Sequence, residues 1–207
     1  MPLIDSLNTF RASVAEANGF IALAFQQDAS GAYVLPQNQR DFISDSAFLK
    51  LFIAWETFLE HSFIKYMLGE PSILGTVIVR YVQPIDEQHA HKLLIGTQKY
   101  VDWSNPDIVK RLCNLFFDRA NPFDTFISSM MTDLFDLKTV RNAAAHLTST
   151  TRQQLDSVGT RRLRRPCVNL NVSDFIFAVD PLSATGDTIL TTYLNKLDVG
   201  AEGISNA

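Results

Sequence analysis

The chain has 207 residues, 46% of them hydrophobic, and a formal net charge of −4. That is enough apolar material for a well-buried core, and it fits a single domain over residues 1–199 with a flexible tail at 200–207. No apolar run approaches the roughly 20 residues that span a bilayer, and the first turns of sequence lack a secretory-signal pattern, so a soluble, cytoplasmic protein without a membrane partner is expected.

Periodicity predicts an all-α chain. Leu3, Leu7, Phe10, Val14, Ile21 and Phe25 recur at helical spacing, giving a first helix over 3–28 that breaks at Ser30-Gly31 and Pro36. Ser44 or Asp45 is placed to cap a second helix that ends before Gly69. Its stripe of Phe48, Leu51, Phe52, Trp55, Phe58, Leu59, Phe63 and Tyr66 has core spacing. The β-branched run Thr76-Val77-Ile78-Val79 fits a short strand, a buried helix or a loop, and stays open. A short helix is expected over 86–95. Asn105-Pro106 and Asn121-Pro122 each read as a cap followed by a first helical residue. Beyond Gly159, Val168, Leu170 and Val172 alternate with asparagines, which predicts a short extended or β segment near 168–179. Asp180-Pro181 then opens a final helix with Ile189, Leu190, Tyr193, Leu194 and Leu197 on its buried side, and the chain frays from Gly200.

The most informative stretch is Arg141-Asn142-Ala143-Ala144-Ala145-His146, a permanent cation and a titratable imidazole on one predicted helix. Leu137, Val140, Ala144 and Leu147 form its expected buried stripe. Lys138, Arg141, Asn142, Ala145, His146, Ser149 and Arg152 fall on the opposite arc, with Arg141 and His146 about 140° apart. Asn142, four residues before His146, can orient it. Attack of a ribose 2′-hydroxyl on the adjacent phosphate needs one group to take a proton and one to protonate the 5′-oxygen, and histidine does either near neutral pH. The transition state gathers negative charge on the non-bridging oxygens, which a guanidinium binds two at a time. Arg141 is poorly placed to share a target with its own His146, so a homodimer packed through this face, with close approach at the alanines, is expected to complete the site.

The pattern and its setting resemble the HEPN superfamily, in particular the RiboL-PSP-like group of prokaryotic HEPN domains. "LFDLKTVRNAAAHL" (134–147) is similar to the late helix carrying Arg-polar-x-x-x-His, "FLKLFIAWETFLEHSFIKYMLG" (48–69) to the long early helix and "YVDWSNPDIVKRLCNLFF" (100–117) to the middle segment. The likeness covers 44–150. It implies a HEPN-like helical bundle and a dimeric, metal-independent endoribonuclease of toxin-antitoxin or phage-defence systems, leaving 2′,3′-cyclic phosphate ends, with Arg141, Asn142 and His146 as catalytic residues. It also implies a possible antitoxin protein as partner. Some toxins of the family carry a tyrosine two residues after the histidine, as the target of a nucleotidyltransferase antitoxin; Thr148 stands there, which departs from that scheme. The superfamily includes non-cleaving members, so the alternative is a module binding a nucleotide or a cognate protein.

Charge is unevenly placed. Residues 138–165 hold Lys138, Arg141, Arg152, Arg161, Arg162, Arg164 and Arg165 against the single acid Asp156, a net +6, so the other residues together carry −10. These cations are the expected RNA contacts, with an acidic antitoxin as the other use of such a run. No cofactor is implied. His89 and His91 are two apart and do not share a helix face, so no metal site is expected there. Glu56 and Glu60 read as a solvated polar face. Cys113 and Cys167 form neither a disulfide framework nor a zinc signature and are expected as reduced thiols, Cys113 in the core.

Overall fold

The computed structural model describes residues 2–119 and 121–207. Among these residues the chain is all-α, in the order α1 (Leu3–Ala24), α2 (Gln37–Leu68), α3 (Glu87–Ile95), α4 (Pro106–Phe116), α5 (Pro122–Ser129), α6 (Met131–Ala145), α7 (Ser149–Leu163), α8 (Val172–Ile176) and α9 (Ile189–Asn206). No helix among the described residues is long and apolar enough to cross a membrane. The chain divides into two compact units. The first comprises Met1–Arg11, Trp55–Phe135 and Lys196–Ala207, and the second Ala12–Ala54 and Asp136–Asn195.

Local capping explains most helix starts. The Asp86 carboxylate accepts the His89 amide to open α3, Asn105 accepts the Asp107 amide before Pro106, and Asn121 accepts the Asp124 amide before Pro122. Each side chain satisfies one of the amides that the first turn leaves without a helical acceptor. α2 is different. Its start lies two turns before the expected Ser44 or Asp45 cap, because the Pro36 carbonyl accepts the amides of both Gln39 and Arg40, at 3.1 Å each. Ser44 and Asp45 therefore sit inside the helix, Ser44 fully buried.

In the first unit, aromatic rings from α2 and α4 and from the segments around them form the core. The Phe63 ring lies 4.7 Å from Phe117, 5.2 Å from Phe123 and 5.5 Å from Trp103, and Phe117 stacks on Phe123. Such pairs add about 0.5–1.5 kcal/mol each to the stabilisation from burial alone. The Tyr66 hydroxyl donates to the Ile204 carbonyl at 2.6 Å, fixing α9 to this core. The expected fraying from Gly200 is corrected here: α9 continues to Asn206, with Ala201, Ile204 and Ser205 buried. The two glycines that look like breakers are points of close approach. A Cβ at Gly200 would meet the Met130 methyl, and one at Gly203 would overlap the Phe126 ring. Gly203→Ala is accordingly expected to cost about 1–3 kcal/mol, read as a lower urea midpoint with unchanged slope.

The open Thr76-Val77-Ile78-Val79 run is loop, leading from a turn at 73–74 to an isolated bridge at Arg80 and a bend at Tyr81. Gly69 ends the helix at φ +85°, and its missing side chain leaves room for the Arg80 guanidinium, which donates to the Met67 carbonyl at 2.7 Å. Arg80 bridges Phe117 in antiparallel fashion: the Tyr81 amide donates to the Phe116 carbonyl at 2.9 Å, and the Asp118 amide to the Val79 carbonyl at 3.0 Å.

In the second unit Phe48, Leu51 and Phe52 are buried, as are Leu155 and Val158 of α7, Phe175 and Ile176 of α8, and Ile189 and Tyr193 of α9. The loop after α1, which ends earlier than the expected residue 28, is held by the Phe25 ring 4.9 Å from Phe177 and by the Arg40 guanidinium 3.9 Å over Tyr33. The extended or β segment expected near 168–179 does not form. The Asp156 carboxylate accepts the amides of Asn169 and Leu170 at 3.0 and 2.8 Å, Asn169 adopts φ 55°, and the chain then turns into α8. Amides that a strand would have paired are already satisfied. Likewise Asp180-Pro181 does not open the final helix. Thr188 does, accepting the Thr191 amide at 3.2 Å. The stripe expected on that helix is found, with Ile189, Leu190, Tyr193 and Leu197 buried.

Asp45 carries the cost of its position within α2. Its Oδ1 is buried without a hydrogen-bond partner among the described residues. Burial, and then the charge of Asp41, push the carboxyl up to about 6. A carboxyl raised in the folded state binds its proton more tightly there than in the unfolded chain, so it favours folding as pH falls from above 6 towards its ordinary value of 3.8. Chemical denaturation at a series of pH values is expected to show wild type gaining stability over that window relative to Asp45→Asn, whose own profile is flatter.

Candidate functional site

The motif residues lie where α6 gives way to α7, all in the second unit. The buried stripe of α6 is Leu134, Leu137, Val140 and Ala143. Leu137 and Val140 are as expected, whereas Ala144 is half-buried and Leu147 is 51% exposed. The cause is that α6 stops at Ala145. The Thr148 side chain accepts the Thr151 amide while the Thr151 hydroxyl accepts the Thr148 amide, a reciprocal cap that starts α7. The Thr151 hydroxyl also donates to the His146 carbonyl. His146 is therefore the hinge residue, its amide still closing the last turn of α6 on the Asn142 carbonyl at 2.9 Å. Ser149 and Arg152 belong to α7 and not to the face of α6.

This turn sets three side chains close in the chain. The His146 imidazole is exposed and Asn142 is half-buried. Arg141 is half-buried too, with Nη1 3.4 Å from Asn142 Oδ1 and with Nε buried and lacking a hydrogen-bond partner among the described residues. A guanidinium N–H without an acceptor costs free energy until an oxygen reaches it. No hydrogen bond joins the Arg141 and His146 side chains among the described residues.

The basic segment does not form one patch. Arg162 faces the interior of α7 beside Leu155, Val158 and Leu163, and donates to Asp180 at 2.7 Å, with the two side chains only 9% and 0% exposed. Its guanidinium also lies 5.3 Å over the Tyr193 ring. Burial opposes the Asp180 charge, but the Leu182 amide, the Thr192 hydroxyl and the Arg162 guanidinium outweigh it and hold the carboxyl below its ordinary value. Arg162 is thus removed from the expected RNA contacts. Arg161 is exposed but donates to Asp136, a buried carboxylate that also accepts the Tyr193 hydroxyl at 3.3 Å. The Arg161 to Asp136 pair sets α7 antiparallel to α6, so Arg164 and Arg165 lie at the end of α7 away from His146, about 20 Å along its axis. Arg165 instead lines an open cleft of about 500 Å³ with Phe25, Asp41 and Asp174. Lys138 and Arg152 are half-buried.

His91 Nδ1 lies 3.5 Å from Glu60 Oε1, on the first unit. No three His, Cys, Asp or Glu side chains converge as a metal site requires among the described residues. Cys113 is buried and free, and burial pushes its thiol well above the ordinary range. No protein-family model, curated protein or solved structure matches the chain.

The carboxylate partners Asp136 and Asp180 were not legible as such: one falls just before the counted basic segment and the other beyond it, and neither spacing signals an ion pair. Removing one member of a buried pair leaves the other charge uncompensated, so Arg162→Ala is expected to lower the unfolding free energy by about 3–5 kcal/mol. Arg164→Ala, at an exposed position, is expected to change it by less than about 0.5 kcal/mol in the same denaturation series.

Proposed function

We propose that the chain is a metal-independent endoribonuclease, with His146 moving protons at the ribose and the leaving oxygen and Arg141 holding the charge of the phosphorane. The 2′-oxygen attacks phosphorus as its proton is taken up, and the bond to the 5′-oxygen breaks as that oxygen gains a proton, leaving a 2′,3′-cyclic phosphate. The observation that carries the reading is Arg141: its Nε is buried without an acceptor next to Asn142, one helical turn before an exposed imidazole. A second chain packed on this face through a two-fold axis would supply a second imidazole, so that one removes the 2′ proton and the other protonates the 5′-oxygen. The resemblance of 134–147 to the HEPN pattern supports the same reading, and with it a toxin or defence effector restrained by an antitoxin protein.

The pairing of Arg161 with Asp136 and of Arg162 with Asp180 favours a second reading. It leaves fewer cations for a long RNA than the sequence offers, which suits a module holding one nucleotide or a cognate protein without cleaving.

Incubation of purified protein with single-stranded RNA in EDTA separates the two. Cleavage with cyclic phosphate ends, reduced about 10²–10⁴-fold in His146→Ala and to a similar degree in Arg141→Ala, is the expected result. Intact RNA at all protein concentrations leaves the binding module. Because Arg161 and Arg162 are engaged internally, at most five of the seven cations are left for RNA, whose affinity is expected to fall with salt with a log–log slope no steeper than about −3.5. A slope near −5 would mean that all seven cations reach the backbone.

A further inference from the structure

The end of α7 away from His146 adjoins a cleft that neither reading above uses. Arg164 leaves the helix in the left-handed region at φ 55°, and the chain is then held back along α7. The Cys167 amide donates to the Thr160 hydroxyl at 3.0 Å, and Asp156 accepts the amides of Asn169 and Leu170. Gly159 gives Leu170 its seat, since a Cβ there would lie 2.4 Å from the leucine methyl. The segment so placed brings Arg165 and Leu170 to the open cleft of about 500 Å³, where Phe25 and Phe177, their rings 4.9 Å apart, add aromatic surface. Asp41 of α2 and Asp174 of α8 line the same cleft. All of these residues belong to the second unit.

The charges in this cleft do not neutralise one another. Elsewhere in the unit opposite charges close, Arg161 on Asp136 and Arg162 on Asp180. Arg165 shares its cleft with two carboxylates, yet its exposed guanidinium pairs with neither among the described residues. The carboxylates are fixed but not saturated. The Gln37 amide and the Ser173 hydroxyl both donate to Asp41 Oδ1, at 2.7 and 2.8 Å, which leaves Oδ2 for another donor. The Asn171 amide donates to Asp174 Oδ2 at 3.2 Å and leaves Oδ1. Asp45, one turn beyond Asp41, registers the negative field: burial, and then the charges of Asp41 and Asp174, push its carboxyl up to about 6. A simple cation would leave Arg165 unanswered, and a simple anion would meet the carboxylates. A molecule with both charges on an apolar body answers every group.

We propose that this cleft binds a small zwitterion of the amino-acid type, with its ammonium on Asp41 and Asp174, its carboxylate on the Arg165 guanidinium and its apolar side chain against Phe25, Leu170 and Phe177. A guanidinium meets a carboxylate with two parallel N–H donors, and an ammonium has three donors to share between two carboxylates. Small organic ligands occupy clefts of about 300–1,000 Å³, so the space admits a free amino acid or a dipeptide. The bonds that hold Asp41 and Leu170 in place lower the ordering cost of binding. The site does not rest on the nuclease reading, because the cleft does not include Arg141 or His146.

Isothermal titration calorimetry of the full chain tests the two charges separately. Phenylalanine or leucyl-phenylalanine is expected to bind at one site per chain with a Kd of about 1 mM or tighter, the better of the two giving the length that the cleft takes. The C-terminal amide of that compound, which lacks the carboxylate, and its N-acetyl form, which lacks the ammonium, are each expected to bind at least about tenfold more weakly. Arg165→Ala is expected to abolish the advantage of the zwitterion over its amide without weakening the amide, whereas Asp174→Asn weakens both. Both positions are exposed, so helical circular dichroism is expected to be unchanged in either variant. An amide that binds wild type as tightly as the zwitterion, no binding of either zwitterion at about 10 mM, or an Arg165→Ala variant that still prefers the zwitterion would each overturn the proposal.

Discussion

The buried carboxylate of Asp136 organises the part of the molecule that holds the motif. Its position within α6 places it on the interior side, where a lone negative charge is untenable. Arg161 from α7 and the Tyr193 hydroxyl from α9 both reach it, and these bonds set α7 back along α6. Once the two helices run antiparallel, the three residues between them must make a tight reversal, and His146 is the residue at which it begins. The exposure of the imidazole is thus a consequence of an ion pair some three turns away. The same pair ties the exposed Arg161 to a carboxylate, so the order of the site and the strength of its cationic field trade against each other.

What could be read from the sequence was whatever is decided within one turn of the chain. Asp86, Asn105 and Asn121 open their helices as their side chains dictate, because a cap needs only the amide two or three residues on. The aromatic stripe of α2 is buried for the equally local reason that 3.6-residue spacing puts it on one face. Errors arose where two local signals competed. Ser44 and Asp45 are good caps, yet Pro36 starts the helix first, and the loser keeps a buried carboxyl. Asp180 also has the chemistry of a cap, but a buried arginine eighteen residues earlier claims it. Gly200 and Gly203 suggest fraying by composition, whereas the Met130 methyl and the Phe126 ring need the space that they leave.

The motif was legible as a pair of residue types and less so as a geometry. Arg141 and Asn142 lie on the last turns of α6 as the spacing implies. Ser149 and Arg152 do not continue that helix, because Thr148 with Thr151 forms the start of the next one. Cationic character was overestimated for a related reason. Counting charges along a segment treats neighbours in sequence as neighbours in space, whereas alternate sides of α7 send Arg161 and Arg162 to two different acids and leave Arg164 and Arg165 beyond the helix.

The division of the chain has a topological consequence. One unit is assembled from three separate stretches and the other from two, and they alternate along the sequence. Any single cut between residues 11 and 196 splits the first of them. Neither can be excised as a continuous fragment or exchanged by one crossover, so a gene encoding this protein passes on both units or neither, and attempts to trim it to a minimal motif-bearing piece start from a chain whose ends belong to the other half.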